Sequence, residues 1–91
     1  MKVTPRQEAV LKWLGRNAAV PESGPEIVAR LWHTGAFTSL EQGHRTCKQL
    51  ATKGLVRPMG WTASNSRTWE ITPEGRQRRA SLMSTERPTP K

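Results

Sequence analysis

The chain has 91 residues, of which 34% are hydrophobic. A chain of this length buries only about 60 to 65% of its unfolded surface, which leaves room for one modest core and no deep catalytic cleft. No apolar run approaches the roughly 20 residues that span a bilayer, and nothing resembles a signal peptide. A single cysteine, Cys47, excludes an internal disulfide and fits a reducing compartment. We therefore expect a cytoplasmic protein without membrane contact.

The net charge of +8 is unevenly distributed along the chain. Residues 1–42 hold five basic and four acidic residues, a net charge of +1, whereas residues 43–91 hold ten basic and three acidic residues, a net charge of +7. A basic half is expected where a protein faces a polyanion. The charge favours nucleic acid as the partner over a membrane surface or a role in solubility alone.

The first predicted helix begins with a capping box, in which Thr4 is the N-cap, Pro5 the first helical residue and Gln7 the third. Apolar residues then recur at helical spacing. They are Ala9, Val10, Trp13 and Leu14. The pattern predicts helix 1 over about residues 5–17, with an earlier end at Gly15 as the alternative.

The second predicted helix begins at Ser23 or Gly24, either of which can cap it, and ends in the segment 33–35, which contains the C-capping glycine. Its apolar face consists of Ile27, Val28, Leu31 and Trp32. Phe37 follows in the turn, where we expect it to pack against the helices on either side.

The third predicted helix has its cap at Thr38 or Ser39, extends to about Lys53 and ends at Gly54. Its inner face consists of Leu40, Gly43, Cys47 and Leu50, with Ala51 beside them. Small residues on this face predict the close approach of another helix.

The segment "RTWEITPEGR" alternates as a strand does, so that Trp69 and Ile71 point to one face of a sheet and the residues between them to the other. We predict an antiparallel hairpin with strands over residues 56–61 and 68–72 and a tip over residues 62–67.

Pro73 ends this hairpin, because proline cannot donate to a sheet ladder but suits the first turn of a helix. A short C-terminal helix should follow. Its arginines, Arg76, Arg78 and Arg79, either bind phosphate or cover the helix. We expect a domain over residues 1–83 and a disordered polar tail over residues 84–91.

Three segments resemble the winged helix-turn-helix proteins, especially the MarR-like and PadR-like bacterial regulators. "CKQLATKGLVRP" resembles the end of their recognition helix, "WEITPEGR" resembles their second wing strand, and "TPRQEAVLKWL" resembles the opening of their first helix. Together these segments cover roughly residues 4–80. The resemblance implies an α+β winged helix-turn-helix fold, with three helices, a two- or three-stranded antiparallel wing and a short C-terminal helix.

The resemblance also implies that helix 3 enters the major groove of duplex DNA. The helical period independently places hydrogen-bonding residues on its outer and flanking faces. The candidates for DNA contact there are Gln42, His44, Arg45, Lys48 and Gln49. Arg45 is the best candidate for a base contact, followed by the two glutamines, while Lys48 and His44 could equally bind phosphate. Glu41 at the start of the helix fits a capping charge better than a contact with cytosine.

The wing supplies a second set of candidates, Ser64, Asn65, Ser66 and Arg67 at the tip and Arg57 in the first strand. The tip could enter the minor groove or follow the backbone. The alternative is an ordinary turn whose Asn and Ser side chains satisfy local backbone groups. Arg57 could reach a phosphate.

Other chemistry finds little support in the sequence. His44 and Cys47 are spaced i, i+3, but a zinc site needs at least three protein ligands, and we predict Cys47 as a small core residue rather than a reactive thiol. Trp13, Trp32 and Trp69 fall on apolar faces and are predicted core residues rather than stacking platforms, whereas the position of Trp61 is undecided. No catalytic constellation can be assembled. We expect no enzyme activity, metal or cofactor.

The sequence thus predicts a sequence-specific double-stranded DNA-binding regulator of transcription, of bacterial or phage type. Ala80, Leu82 and Met83 make a poor dimer seam, so a weak homodimer and monomers that assemble side by side on DNA stay open. A module that binds a host or partner protein and an architectural or excision-type DNA-binding factor are the alternatives. The sequence specifies no operator, effector or sign of regulation.

Overall fold

The computed structural model describes residues 3–16 and 20–86, which form helices packed on one small sheet. The elements in chain order are α1 (Pro5–Leu14), β1 (Glu22–Ser23), α2 (Gly24–Leu31), a 3₁₀ helix (Trp32–Thr34), α3 (Glu41–Thr52), β2 (Val56–Trp61), β3 (Arg67–Ile71) and α4 (Pro73–Glu86). The sheet is antiparallel with the order β1-β3-β2. This is the predicted α+β winged helix-turn-helix arrangement, and the wing is the three-stranded form.

The start of α1 confirms the predicted capping box. The Thr4 hydroxyl accepts from the Gln7 backbone N–H at 3.2 Å, and the Gln7 side-chain oxygen accepts from the Thr4 N–H at 3.2 Å. The helix ends at Leu14 with Gly15 as its C-cap, which is the earlier of the two predicted ends. Residue 17, the later one, lies outside the described residues.

Helix α2 begins as predicted but ends sooner. The Ser23 hydroxyl caps it by accepting from the Glu26 N–H at 3.3 Å, and Gly35 closes the following 3₁₀ helix with a φ of 76°. Trp32 is 51% exposed, so its predicted place in the core is wrong. The change to the tighter 3₁₀ winding at this residue takes it out of register with the buried stripe of α2.

Helices α2 and α3 cross in close contact at two glycines, as the small residues of α3 predict. A Cβ atom added to Gly24 would lie 2.6 Å from the backbone nitrogen of His44, and one added to Gly43 would overlap the carbonyl oxygen of Gly24. These two glycines therefore set how α3 lies across α2.

Helix α3 buries one residue that the sequence pattern missed and exposes one that it predicted to be buried. Leu40 is the N-cap, without a side-chain capping bond, and is 53% exposed, so its predicted place on the inner face is wrong. Thr46 is buried because its hydroxyl donates to the carbonyl of Gln42 at 2.7 Å, which satisfies it within the helix. Gly54 leaves the helix with a φ of 76°.

The core draws on the helices and the sheet alike. Its buried apolar residues are Val10, Leu11, Leu14, Ile27, Val28, Leu31, Phe37, Cys47, Leu50, Leu55, Val56, Trp69 and Ile71. The strand alternation that predicted Trp69 and Ile71 to face inward is confirmed, and so is the burial of Phe37 in the turn. The wing strands and α3 therefore share one core.

The C-terminal helix α4 is attached to the rest of the fold at its start. The Thr72 hydroxyl donates to the Gly54 carbonyl at 2.7 Å and accepts from the Gly75 N–H at 3.0 Å. Further along, Arg79 Nε donates to the carbonyl of Lys12 at the end of α1 at 3.0 Å. The arginines of this helix were expected either to bind phosphate or to cover the helix, and Arg79 is used within the fold.

Helix α4 continues three residues past the predicted domain boundary at residue 83. The rest of the predicted tail, residues 87–91, lies outside the described residues. Within residues 3–16 and 20–86, no helix has the length and apolar character needed to cross a membrane.

Candidate nucleic-acid interface

The outer face of α3 is a continuous polar surface. Because Gly43, Thr46, Cys47 and Leu50 occupy the buried side, the helical period turns the remaining positions outward. The exposed side chains are Glu41, His44, Arg45, Lys48, Gln49 and Thr52. All six can form hydrogen bonds, and their exposure agrees with the prediction from the sequence.

Two cations on this face are available to an outside partner. Neither Arg45 nor Lys48 forms an ion pair or a hydrogen bond through its side chain with any residue that the structure describes. The face carries a single acidic residue, Glu41, in the first turn of α3, where the helix dipole favours a negative charge. The rest of the surface therefore presents donors and positive charge.

The structure corrects the prediction for Gln42. Its side-chain oxygen accepts from the Thr38 N–H at 2.7 Å and the Ser39 N–H at 3.4 Å, and its Nε2 donates to the Thr38 hydroxyl at 2.9 Å. Both ends of the amide are thus used within the turn before α3. Gln42 is half-buried and organises the start of the helix instead of presenting its amide to DNA.

Gln49 is partly engaged by a contact that the sequence did not indicate. Its side-chain oxygen accepts from Gln7 Nε2 at 2.9 Å, and the Gln7 oxygen in turn accepts from Lys53 Nζ at 2.6 Å. The amide nitrogen of Gln49 has no hydrogen bond to another described residue. Gln49 can therefore donate to a base edge, while its oxygen already accepts one bond from Gln7 and keeps a single lone pair for another donor.

His44 lies on the flank of α3 that faces the wing. Its ring meets the indole of Trp69 edge-on, with the ring centroids 5.7 Å apart and the planes at 60°. The contact fixes the imidazole between helix and sheet while its outer edge stays exposed. His44 thus lies between α3 and the wing, at the edge of the space that separates them.

The wing tip, residues 62–66, is a closed turn. The Thr62 N–H donates to the Ser66 carbonyl at 2.8 Å, and the Thr62 hydroxyl accepts from the Ser66 N–H at 3.1 Å and lies 3.0 Å from the Ser64 hydroxyl. Asn65 adopts a φ of 67°, a left-handed conformation that Asn tolerates better than most residues. The Ser64 hydroxyl and the Ser66 backbone therefore serve the turn, as the structural alternative expects, whereas the side chains of Asn65 and Ser66 have no hydrogen bond to another described residue.

Arg67 lies directly after the tip turn, at the end of β3 nearest to it, and not in the turn itself. It is the first residue of β3, one residue earlier than the strand predicted from the sequence, and it is half-buried. Its guanidinium carbon lies 4.0 Å from the centroid of the Trp61 ring. Trp61, the undecided tryptophan, is 59% exposed, so the pair stands at the surface beside α3.

The predicted phosphate contact of Arg57 is not supported by its surroundings. Its Nε donates to a carboxylate oxygen of Glu70, its Cα partner in β3, at 2.8 Å, and a second guanidinium nitrogen bonds the same oxygen. The charge of Arg57 is therefore paired inside the wing, and we remove it from the candidate contacts.

The buried thiol has no part in the interface. Cys47 is completely buried, and this burial raises its pKa to about 12, so it stays protonated and unreactive in the folded protein. It is the core residue that the sequence predicted. Among the described residues, no group of three or more His, Cys, Asp or Glu side chains is placed to hold a metal ion.

Of the other tryptophans that the sequence predicted in the core, Trp69 is buried and Trp13 is half-buried. The Trp13 indole N–H donates to Glu22 at 2.8 Å, and its ring carries the guanidinium of Arg16 at 3.5 Å from the centroid. Neither indole is placed as an open stacking platform.

No protein-family model matches the chain, and no curated protein matches it in sequence. Solved structures do match. ZitR of Lactococcus lactis, in a mutant form, is 17% identical over 94% of this chain and 54% of its own, with a TM-score of 0.72. MepR of Staphylococcus aureus, a transcription regulator of the multidrug efflux pump MepA, is 15% identical over 92% of this chain and 58% of its own, with a TM-score of 0.74.

A complex of S. aureus MepR with DNA also matches, at 15% identity over 90% of this chain and 63% of MepR, with a TM-score of 0.71. The chain spans little more than half the length of the ZitR and MepR chains. At these identities the similarity establishes the fold. The winged helix-turn-helix fold expected from the resemblance is therefore confirmed.

Proposed function

We propose that this protein is a sequence-specific, duplex-DNA-binding regulator of transcription, with α3 in the major groove and the wing on the adjacent backbone. The observation that carries the proposal is the outer face of α3, where every exposed side chain can form hydrogen bonds and two cations have no partner among residues 3–16 and 20–86. A helix of this kind fits the major groove of B-DNA. The fold shared with MepR, which has been solved in a complex with DNA, supports DNA as the partner.

Different residues of α3 have different parts in this proposal. Arg45, near the middle of the outer face, pairs with a guanine edge, and Gln49 donates through its amide nitrogen. Lys48 and His44, on the flank toward the wing, bind the backbone. Thr52, one turn beyond Lys48, extends the same polar surface toward the end of the helix.

The wing binds the backbone or the minor groove through Arg67, with Asn65 at the tip as a second donor. Arg57 has no part in this, because Glu70 pairs its charge. In this proposal the protein acts by occupying DNA and not by catalysis. It would do so in the cytoplasm, as a nucleoid-associated factor. A weak homodimer on a two-fold site is compatible with this function.

A salt titration of duplex binding tests the proposal. If about six phosphates are neutralised, the logarithm of the binding constant should fall with the logarithm of the salt concentration with a slope of about −5. The measurement is fluorescence anisotropy of a labelled random-sequence duplex between 50 and 200 mM salt, a range chosen because counterion release dominates there.

A matched pair of charge reversals locates the surface. Lys48→Glu on α3 should abolish binding, whereas Arg30→Glu, also exposed but in the last turn of α2, should leave most of it. A binding constant that does not respond to salt, or equal losses in the two variants, would contradict the proposal.

A further inference from the structure

A cleft of about 280 Å³ lies between α3 and the middle and outer part of the wing hairpin. Its lining consists of His44, Lys48, Pro58, Trp61, Arg67 and Trp69. Two of these side chains are permanent cations, a third is the histidine, and none is acidic. The cleft therefore attracts an anion of the size of one phosphate group.

A β-bulge places the tryptophan of this cleft opposite its arginine. Strand β2 pairs regularly with β3 up to Pro58, which is the Cα partner of Trp69. A register shift follows, so that Trp61 becomes the partner of Arg67, a position that regular pairing would give to Gly60. The Gly60 N–H bonds the Thr68 hydroxyl at 2.8 Å. Bulges commonly redirect a side chain in this way.

The stacked geometry restrains Arg67 without using its donors. The guanidinium carbon lies 4.0 Å from the ring centroid of Trp61, within the range of a cation–π interaction. No residue in the described part of the chain forms an ion pair with Arg67. A stacked guanidinium keeps its N–H donors in its own plane, where they can reach a phosphate in a charge-assisted pair.

Trp69 also lines the cleft, beside the ring of His44. Its indole nitrogen is buried and has no hydrogen-bond partner among the described residues, so the cationic donors of the cleft that an anion can reach belong to Lys48 and Arg67.

We propose that this cleft binds one backbone phosphate of duplex DNA, and that Trp61 positions Arg67 for that contact. Lys48 from α3 supplies the second charge, so the phosphate connects the recognition helix to the wing. The inference rests on the proposed function and specifies a site within it. Trp61 is a positioning residue here, since its role is exerted through Arg67 and not through a contact with a base.

The test uses the salt dependence of binding to a random-sequence duplex, which needs no knowledge of a preferred site. Removal of one phosphate contact reduces the slope by about 0.9, so the loss of affinity between 50 and 200 mM salt becomes about threefold smaller. Arg67→Ala should show this change. Trp61→Ala should show nearly the same change, although it removes no charge, and the double variant should show no more than Arg67→Ala alone.

Conservative substitutions of Trp61 and matched control variants distinguish a Trp61 that positions Arg67 from a Trp61 that contacts DNA itself. Trp61→Phe keeps an aromatic face and should retain most of the wild-type slope, whereas Trp61→Leu keeps apolar bulk only and should behave as Trp61→Ala does. Met59→Ala, another exposed apolar residue of β2, and Arg30→Ala, an arginine of α2, should leave the slope unchanged. Thermal unfolding of each variant confirms that it is folded.

The inference is overturned if Trp61→Ala and Trp61→Leu weaken binding equally at all salt concentrations with the wild-type slope, because Trp61 then contacts DNA directly. It is also overturned if Arg67→Ala keeps the wild-type slope. Both results presuppose salt-dependent binding by the wild-type protein. The absence of that binding would instead reject the proposed function.

Discussion

Side chains of α3 that look equivalent in the sequence differ in what they can still bind. Gln42 uses both ends of its amide in the turn before the helix, Gln49 uses its oxygen on Gln7, and Arg45 uses none of its donors within the described chain. A residue can read a base only with the groups that the fold leaves open. We therefore expect the proposed base recognition to depend most on Arg45.

We expect Arg45→Ala to cost about 1 to 3 kcal/mol on the preferred duplex, the value of a good bidentate pair with guanine, and little on random DNA. Lys48→Ala is the matched control on the same helix, and as a phosphate contact it should weaken both duplexes alike. The measurement is the dissociation constant of each variant on both duplexes at one salt concentration. Equal losses on the two duplexes for Arg45→Ala would remove it as a reader.

Single residues were predictable from the sequence where a local period decides their place. Strand alternation placed Trp69 and Ile71, and the helical period placed Cys47. The bond between Gln7 and Gln49 joins residues far apart in the chain, so no local pattern could indicate it. The stacking of Arg67 on Trp61 was hidden for a different reason, since it depends on a bulge that the alternation does not reveal.

The orientation of the recognition helix depends on the contact between α2 and α3. Gly43 has no room for a side chain, because an added Cβ would overlap the Gly24 carbonyl, which is backbone and cannot rotate away. We expect Gly43→Ala to destabilise the fold by about 1 to 3 kcal/mol, as overpacking does, and to weaken binding to every duplex by tilting α3. Denaturant unfolding measures the first effect.

Gly60→Ala is the matched control for this substitution. Its nearest neighbour would be the Thr68 hydroxyl at 3.8 Å, an ordinary contact, so the free energy of unfolding should stay close to that of the wild type. If Gly43→Ala unfolds at the same denaturant concentration as Gly60→Ala, the two helices do not meet as closely as described.

Elements with strong end signals were predicted well. The bounds of β2 and the start of α4 at Pro73 agree with the prediction, because a glycine turn precedes the strand and a proline follows the sheet. The two-residue strand β1 carries no alternation of its own and forms only because β3 offers it a free edge. Such a strand depends on the assembled sheet, so the sequence could not show it.

At the scale of the whole molecule, only some of the basic residues in the second half of the chain contribute to the proposed DNA-binding face. The charge of Arg57 is paired with Glu70, and the guanidinium of Arg79 is held at the end of α1 by its bond to a backbone carbonyl. The remaining cations of this half that flank the cleft are Lys48 and Arg67. The sequence thus predicted that the electrostatic potential of this half is positive, while the fold determined which charges contribute to it.

Selection from a random duplex pool tests the central claim most directly. The purified protein is incubated with the pool at near-physiological salt, and the bound duplexes are sequenced after several rounds. We predict an enriched motif that Arg45→Ala weakens, and the spacing of its half-sites will distinguish a monomer from a dimer. Binding without any enrichment would contradict sequence-specific recognition by α3.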